Sequence, residues 1–330
     1  MLSAPSSLPS ASEIDSLVDS GEPFGFGLLP GEDSPYGELE AGRWLAPYAE
    51  RVLPGGESTS GAAPGADIAR DEWVNSDEDS YINAVSKVIE SCAARDGKTV
   101  FSREIQGRIG NNVTPGRVFY ALCAEFPDTF RYIFNLPGEG VWIGATPEIL
   151  LSADLRKGAF STMALAGTRR RRCPGEAWDE KNIIEHRIVA DYIAERLTNV
   201  GVTFREGEVF SHPYGAIEHL CCRFEGEMGS IPYPAVLDAL NPTPALCGTP
   251  LQSAIDDINR FEPHDRSFYG GFVAVRSAER FEAYANLRCL RIRGDRFSVY
   301  AGGGITKFSV PKDEYLETEA KAAPRLALLR

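Results

Sequence analysis

The sequence of 330 residues has no apolar run that approaches the ~20 residues of a membrane-spanning helix. Its opening stretch, Met1 to Pro9, also lacks the basic and apolar regions of a signal peptide. Both absences argue against a membrane protein and against an exported one. We therefore predict a protein of the cytosol with no membrane partner.

Positive charge is scarce, since 34 Lys and Arg residues stand against 47 Asp and Glu residues. The formal net charge is −13 and the sequence pI is about 4.9. Such a balance argues against binding to nucleic acid or to an anionic membrane surface. An anionic substrate would have to be held by a few specific groups in a local pocket.

The seven cysteines are odd in number and include no C-x-x-C pair, so neither a disulfide framework nor a zinc cluster is predicted. The adjacent Cys221 and Cys222 could form a redox pair, but packing residues of a cytosolic strand are the favoured interpretation. The sequence also has no Walker loop, no G-x-G-x-x-G and no H-E-x-x-H. These absences weaken nucleotide-binding and zinc-protease interpretations.

Helical and strand patterns alternate irregularly along the chain. Residues 98–105 form a predicted strand and residues 179–201 a predicted helix. Three antiparallel strands are predicted near the end, at 268–276, 281–293 and 296–301. Residues 1–75 carry weak patterns, with a mobile loop expected near 54–66, and the patterns become clearer over residues 76–330.

The stretch after the last predicted strand combines three glycines with an acidic helix. Gly302 to Gly304 predict a turn in which backbone N–H groups could approach an anion. Glu314, Glu317 and Lys321 follow at i, i+3 and i+7, so they share one stripe of the helix. This pattern indicates half of a site for a metal-bound carboxylate. The alternative is an ordinary solvated helix end behind a flexible loop.

Other charged residues lie in sequence contexts that are typical of metal ligands, general acids or carboxylate-binding groups. Glu185 falls in an apolar sector of the helix over 179–201, where an unpaired carboxylate is costly, so it is a candidate metal ligand. Glu148 follows Pro147 and precedes three aliphatic residues, which raises a carboxyl pKa and suits a general acid. The alternatives are a partly exposed helix residue for Glu185 and a strand-edge residue facing water for Glu148. Lys98 starts a strand on its polar side, and Arg288 is a natural fork for a carboxylate.

Six segments occur in the order seen in chorismate-utilising enzymes, and the chain resembles that family from about residue 80 to residue 330. The segments are Lys98–Arg103, Gly144–Glu148, Ala164–Thr168, Asp179 through His186, Phe261 through Gly271, and the closing glycines with their acidic helix.

The resemblance implies an α+β fold in which two β-rich halves with outer helices surround a central site for Mg²⁺ and chorismate. It implies that residues 76–330 form the catalytic domain and that the N-terminal region, residues 1–75, is reduced. It implies that Glu185 and Glu317 are magnesium ligands and that Glu314 holds a metal-bound water. It also implies a set of residues that contact the substrate: Thr168, His219, Ala245, Leu246, Tyr269, Arg288, Gly303, Gly304 and Lys321.

Two positions indicate which nucleophile the chain would use. Members that make anthranilate carry glutamine where this chain has Lys98, and aminodeoxychorismate synthases carry lysine where it has Ala166. The resemblance therefore implies water, as in isochorismate and salicylate synthases. Ala245-Leu246 is similar to the pair in isochorismate synthases, whereas salicylate synthases typically have Thr-Ala. A salicylate synthase and a catalytically inactive chorismate-binding relative stay open as alternatives.

The expected reaction is an isomerisation in which Lys98 takes a proton from water attacking C2 of chorismate. Glu148 would protonate the departing C4 hydroxyl. We expect a monomer without a glutaminase partner, in menaquinone synthesis. Two positions depart from the commoner family pattern, since Asn182 stands where many relatives carry an acid and Asn241 where many carry a histidine. Pro324 is predicted to kink or end the last helix.

Overall fold

The computed structural model describes residue 5 and residues 7–45, 77–171 and 176–330, and every structural statement below concerns these residues. The loop predicted near 54–66 lies outside them. The helices are α1 (Ala11–Asp19), α2 (Glu78–Arg95), α3 (Pro115–Glu125), α4 (Glu180–Val200), α5 (Tyr233–Leu240), α6 (Leu251–Phe261) and α7 (Pro311–Ala327). None of the described helices is long and apolar enough to cross a membrane.

The strands follow in chain order. They are β1 (Phe24–Leu28), β2 (Glu38–Gly42), β3 (Lys98–Arg108), β4 (Phe130–Leu136), β5 (Gly140–Thr146), β6 (Ile149–Asp154), β7 (Ala159–Arg170), β8 (Thr203–Glu206), β9 (Phe210–Tyr214), β10 (Ile217–Glu227), β11 (Gly248–Thr249), β12 (Phe272–Arg276), β13 (Arg280–Ala285), β14 (Cys289–Arg293) and β15 (Arg296–Thr306).

Helix α4 illustrates how local sequence sets the element that later carries site residues. The side chain of Asp179 accepts a hydrogen bond from the backbone N–H of Asn182 at 2.9 Å and caps the first turn. Gly201 ends the helix in the left-handed conformation, with φ of 88°. The helix predicted over residues 179–201 is confirmed.

The strands form two antiparallel sheets. The first sheet has the order β1-β4-β5-β14-β15-β3-β11, and the second has the order β2-β12-β13-β6-β7-β10-β8, with β9 also paired to β10. The described N-terminal residues thus supply one strand to each sheet. β1 pairs with β4 and β2 pairs with β12.

An aromatic cluster joins the inner faces of the two sheets. Phe130 of the first sheet stacks on Tyr284 of the second with ring centroids 4.3 Å apart. Within the first sheet, Trp142 stacks on Tyr300 at 5.4 Å and belongs to the same cluster. Helices α4 and α5 cover the outer face of the second sheet, and α1, α3 and α7 pack on the first. The predicted α+β fold, with two β-rich halves and outer helices, is confirmed.

One predicted strand is wrong, and the difference creates part of the site. Residues 281–293 do not form a continuous strand, because β13 ends at Ala285 in the second sheet and β14 begins at Cys289 in the first. Asn286 anchors this crossover, since its side-chain amide donates to the Phe268 carbonyl at 2.9 Å and its oxygen accepts from the Tyr132 hydroxyl. Residues 268–271 are likewise a turn and not the start of a strand.

Of the two outcomes predicted for Pro324, a kink or the end of the last helix, the end is wrong, because α7 continues through Pro324 to Ala327. The Arg325 guanidinium donates to the Lys321 carbonyl within this last turn. Cys221 and Cys222 are both buried in β10 and unbridged, as expected for packing residues.

Candidate active site

A cavity between the two sheets is lined by residues from distant parts of the chain. It contains every residue predicted for the site except Leu246, Glu314 and Glu317. The lining residues are Lys98, Val100, Thr146, Pro147, Glu148, Leu165, Ala166, Gly167, Thr168, Glu185, His219, Ala245, Tyr269, Leu287, Arg288, Gly302, Gly303, Gly304 and Lys321.

Leu246 does not face this cavity, although its neighbour Ala245 does. The Leu246 side chain is fully buried in the hydrophobic core between the second sheet and helices α4 and α5. The prediction that Leu246 contacts the substrate is therefore not supported by its position. Asn241, at the end of α5, is also outside the cavity lining.

Lys98 and Glu185 meet across the cavity. The Lys98 ammonium lies 2.9 Å from Glu185 Oε1, and the Lys98 side chain is only 1% exposed. The Glu185 side chain is 15% exposed, and its carboxylate is paired with a cation, which offsets the cost of its partial burial. The partner in this structure is a lysine that comes from the first sheet.

The three consecutive glycines do not form the predicted turn. They lie within β15, where Gly302, Gly303 and Gly304 pair with residues of β3. A Cβ atom on Gly304 would stand 2.6 Å from Lys98 Cε and closer still to Glu185 Oε1. The glycines therefore leave space for charged side chains that face the strand.

Glu314 and Glu317 reach the same strand from α7. A Cβ atom on Gly303 would lie 3.0 Å from Glu314 Oε2 and 3.6 Å from Glu317 Oε1. Lys321 pairs with Glu317 at 2.5 Å, and Lys181 of α4 pairs with Glu314 at 3.0 Å. The predicted stripe on the last helix is confirmed as a geometric feature, and it faces the glycines.

Glu185, Glu314 and Glu317 have the hard oxygen donors that Mg²⁺ prefers. Glu314 Oε2 is buried and makes no hydrogen bond with the described residues, and the adjacent glycines leave room beside it. The donor set fits a magnesium ion chemically. No three His, Cys, Asp or Glu side chains of the described residues already stand in metal-binding geometry, and each acid is paired with a lysine.

Charge is distributed unevenly between the two acids of α7. Burial raises the pKa of Glu314, and the neighbouring Glu317 raises it further. Loss of hydration acts in the same direction on Glu317, but the Lys321 ammonium outweighs it and lowers the Glu317 pKa. Glu317 is the more readily ionised of the two.

Glu148 lies in the short connection between β5, which ends at Thr146, and β6, which begins at Ile149, and it is 5% exposed. Burial raises its pKa to about 7, although Arg288, Lys98 and Lys321 act in the opposite direction. A carboxyl group with this pKa can hold a proton near neutral pH and release it to a leaving group. The raised pKa predicted from its apolar neighbours agrees with the structure.

Arg288 emerges from the crossover between β13 and β14 into the cavity. It forms no ion pair with a carboxylate of the described residues, and the loss of hydration lowers its pKa. One guanidinium nitrogen lies 3.3 Å from His219 Nε2, and the guanidinium lies over the Tyr214 ring. A confined, unpaired guanidinium of this kind is suited to a carboxylate ligand.

His219 is oriented by backbone and hydroxyl groups. Its Nδ1 lies 3.1 Å from the Gly167 carbonyl and 3.0 Å from Thr168 Oγ1. Because a carbonyl only accepts, Nδ1 carries the hydrogen and Nε2 is free to accept from Arg288. Burial, with Arg288 and Lys321, holds the His219 pKa well below its usual value, so the ring is neutral.

Two contributors had no role assigned from the sequence. Asn182 accepts a hydrogen bond from the Thr168 backbone N–H at 2.9 Å and donates to Asp179 at 2.6 Å, which fixes the strand end that carries Thr168. Lys181 neutralises Glu314. Their sequence signal was their place three and four residues before Glu185, about one helical turn, but only the fold shows what they contact.

Comparison with known proteins relates the chain to a family and to individual relatives. A family model described as "Chorismate binding enzyme" matches residues 56–330. Isochorismate synthase EntC of Escherichia coli K12 is 32% identical over 245 residues, covering 69% of this chain and 61% of the relative. Anthranilate synthase component 1 of Streptomyces coelicolor is 30% identical over 287 residues, covering 82% and 55%.

A solved structure shares the fold. The menaquinone-specific isochorismate synthase MenF of Escherichia coli superposes with a TM-score of 0.71 over 99% of this chain and 84% of that one, at 22% identity. The chain itself spans about three fifths of the length of the EntC relative.

Proposed function

This chain belongs to the family of chorismate-binding enzymes, and from that premise we propose that it is an isochorismate synthase. The observation that carries the proposal is that Lys98 and a buried carboxyl group with a pKa of about 7, Glu148, line one cavity. A base and an acid are thereby available to a substrate bound in this cavity. The relatives at about 30% identity include both an isochorismate synthase and an anthranilate synthase component 1, so the choice between these two reactions rests on this chain's residues.

The substrate, chorismate, is a cyclic dicarboxylate, and the cavity offers cations for its carboxylates. Arg288 is unpaired among the described residues, and Lys321 donates to the Gly302 carbonyl at 2.8 Å beside Glu317. The Tyr269 side chain lines the same wall, where a Cβ atom on Gly302 would stand 2.8 Å from its hydroxyl. These groups, with Thr168, would fix the ring relative to Lys98 and Glu148.

In the proposed reaction the Lys98 ammonium, which is paired with Glu185, first gives up a proton to solvent. The resulting neutral amine then takes one proton from a water molecule as the oxygen of that water bonds to C2 of the ring. The double bonds shift, and the C4–O bond breaks. Glu148 gives its proton to the departing hydroxyl, which leaves as water. One water enters and one leaves, so the reaction is an isomerisation, and uptake of a proton from solvent by Glu148 restores both groups.

We propose Mg²⁺ as the cofactor, with Glu185 and Glu317 as ligands and Glu314 beside them. When bound, the ion would orient the substrate carboxylate and stabilise negative charge near it. The buried, unpartnered Glu314 Oε2 and the space left by Gly303 support this assignment.

Water is the proposed nucleophile because Lys98 occupies the position of the glutamine in anthranilate-forming members. Ala166, where aminodeoxychorismate synthases carry a nucleophilic lysine, also lines the cavity and offers no amine. No glutaminase partner is therefore expected. Entry of the product into menaquinone synthesis stays a prediction, which the menaquinone content of a strain lacking this protein would test.

The test is incubation of the purified protein with chorismate and Mg²⁺, followed by chromatographic separation of the products. Isochorismate alone is the expected result. Salicylate with pyruvate would instead identify a salicylate synthase, and binding without turnover would identify an inactive relative. Lys98→Ala should abolish conversion, whereas Lys157→Ala, at an exposed lysine, should not; near-normal conversion by Lys98→Ala would overturn the assignment.

A further inference from the structure

Each of the three acids proposed for the metal site is paired with a lysine, and the three lysines come from three elements, β3, α4 and α7. Glu185 pairs with Lys98 at 2.9 Å. The other two pairs lie nearer α7, with lengths of 3.0 Å for Lys181 and Glu314 and 2.5 Å for Lys321 and Glu317. Three negative and three positive charges therefore balance, and an entering divalent cation meets no excess of negative charge from these side chains.

The three lysines differ in how easily their ammonium groups can leave the ion pair for solvent. The Lys98 side chain is 1% exposed, and the Lys321 side chain is 11% exposed with a second bond to the Gly302 carbonyl. The Lys181 side chain is 39% exposed and starts from the first turn of α4. Only Lys181, of these three, can exchange its carboxylate for water by rotating its own flexible side chain.

The Glu314 carboxylate, the partner of Lys181, cannot move into solvent in the same way. The Glu314 side chain is 2% exposed, and Oε1 accepts from Lys181 while Oε2 has no hydrogen-bond partner among the described residues. Oε2 faces the space beside Gly303, which Glu317 Oε1 also approaches. If Lys181 moves away, Glu314 is a buried carboxylate that lacks a counter-ion, which is costly unless another cation arrives.

We propose that Lys181 is a displaceable counter-ion that sets the affinity of this site for Mg²⁺. The ammonium stabilises Glu314 while the metal is absent and moves to solvent when the metal enters, so the metal must compete with it. This inference rests on the proposed role of Mg²⁺. It identifies Lys181 as a residue that weakens metal binding, whereas an acid in the same cluster would strengthen it.

Removing the charge of Lys181 should therefore tighten binding. In Lys181→Gln the amide still donates a hydrogen bond, but the competing positive charge is lost. The dissociation constant for Mg²⁺, measured by calorimetry without substrate, should fall about tenfold. The dissociation constant for Mn²⁺, followed by electron paramagnetic resonance, should fall in the same way.

A matched control and a charge-keeping variant separate this effect from a general change in surface charge. Lys312 on α7 pairs with Glu78 at the surface and has a half-exposed side chain, so Lys312→Gln should leave both dissociation constants unchanged. Lys181→Arg keeps the charge and should not tighten binding. In a Glu314→Gln background, Lys181→Gln should have no further effect, because the competition is for Glu314.

The outcomes distinguish this inference from the proposed function. If the unaltered protein binds Mg²⁺ and Lys181→Gln binds it equally or more weakly while its circular dichroism is unchanged, Lys181 is no competitor and the inference is overturned alone. If neither protein binds Mg²⁺, with or without chorismate, the metal role in the proposed function fails as well. Tighter Mg²⁺ binding by Lys312→Gln would also contradict the inference about Lys181, because the effect would then be one of net charge.

Discussion

The carboxyl group of Glu148 shows how one residue can be adjusted by its surroundings. It is buried between the sheets, and burial disfavours its charged form more strongly than Arg288, Lys98 and Lys321 favour it. The group is mostly protonated below its pKa of about 7 and mostly ionised above it. A general acid at this position therefore works on the acidic side of neutrality and loses its proton as the pH rises.

We predict that kcat/KM of the unaltered protein falls as the pH rises through about 7, the pKa of Glu148. Glu148→Gln should lose turnover at every pH, because an amide cannot supply the proton, while its affinity for Mg²⁺ is retained. Glu279→Gln, at a half-exposed glutamate that pairs with Arg156, is the matched control. Turnover by Glu148→Gln within tenfold of the unaltered protein would remove Glu148 from the role of acid.

Single residues were predicted from the sequence where local context decides their state. The neighbours of Glu148 in the chain are aliphatic, so its raised pKa could be predicted. Asn182 and Lys181 lie in an amphipathic helix start that has many solvated counterparts, and their partners, Thr168 and Glu314, are 14 and 133 residues away along the chain. No local pattern identifies such partners.

In strand β15 three consecutive glycines lie in a strand, where they leave room for charged side chains, and they do not form a turn. The predicted turn was wrong because three glycines suit a turn and also suit a strand that other atoms approach closely. Glu314 and Glu317 occupy the space beside Gly303, and Lys98 and Glu185 the space beside Gly304. Contact between these glycines and a bound anion stays a prediction, and the atoms that the structure places beside them belong to charged side chains.

We predict that Gly304→Ala separates Lys98 from Glu185 and lowers kcat by about a hundredfold, since displacement of a reacting group by about 1 Å has effects of this size. The obstructing atoms are ends of flexible side chains, so the thermal midpoint should change little. Gly303→Ala, whose nearest obstruction is Glu314 Oε2 at 3.0 Å, should have a smaller effect. Steady-state kinetics of both variants, beside their melting curves, check this order; full activity in Gly304→Ala would contradict the described contacts.

The crossover at Asn286 is the second element-scale feature that sequence patterns missed. Residues on both sides of it have strand-like patterns, and the change of sheet depends on tertiary hydrogen bonds of a fully buried amide. The backbone N–H of Asn286 donates to the Gly271 carbonyl, and its own carbonyl accepts from Gly270. These bonds place Arg288 in the cavity.

Asn286→Ala should lower the free energy of unfolding by roughly 2–4 kcal/mol, because it leaves the Phe268 carbonyl and the Tyr132 hydroxyl buried without their partner. It should also raise KM for chorismate more than it lowers kcat, since Arg288 is displaced. Asn199→Ala, at an exposed position of α4, is the control. Urea titration and steady-state kinetics provide the two readouts, and wild-type stability in Asn286→Ala would show that the crossover does not depend on this amide.

At the scale of the whole molecule, the site exists because two sheets pack face to face and leave a gap at one part of their interface. β3 and β15 of the first sheet carry Lys98 and the glycines, and β7 and β10 of the second sheet carry Thr168 and His219. The sequence predicted the two β-rich halves and their outer helices through resemblance to a family. The strand order could not be predicted, because it depends on pairings such as β3 with β15 across about two hundred residues.

The central claim is that Lys98 directs water, and not ammonia or a migrating hydroxyl group, to C2 of chorismate. The most direct measurement is turnover of chorismate with Mg²⁺ in water enriched in a heavy oxygen isotope, with ammonium present, followed by mass spectrometry of the product. We predict isochorismate with one heavy oxygen at C2, formed by the unaltered protein and absent with Lys98→Ala. An unlabelled isochorismate or an aminated product would contradict the account.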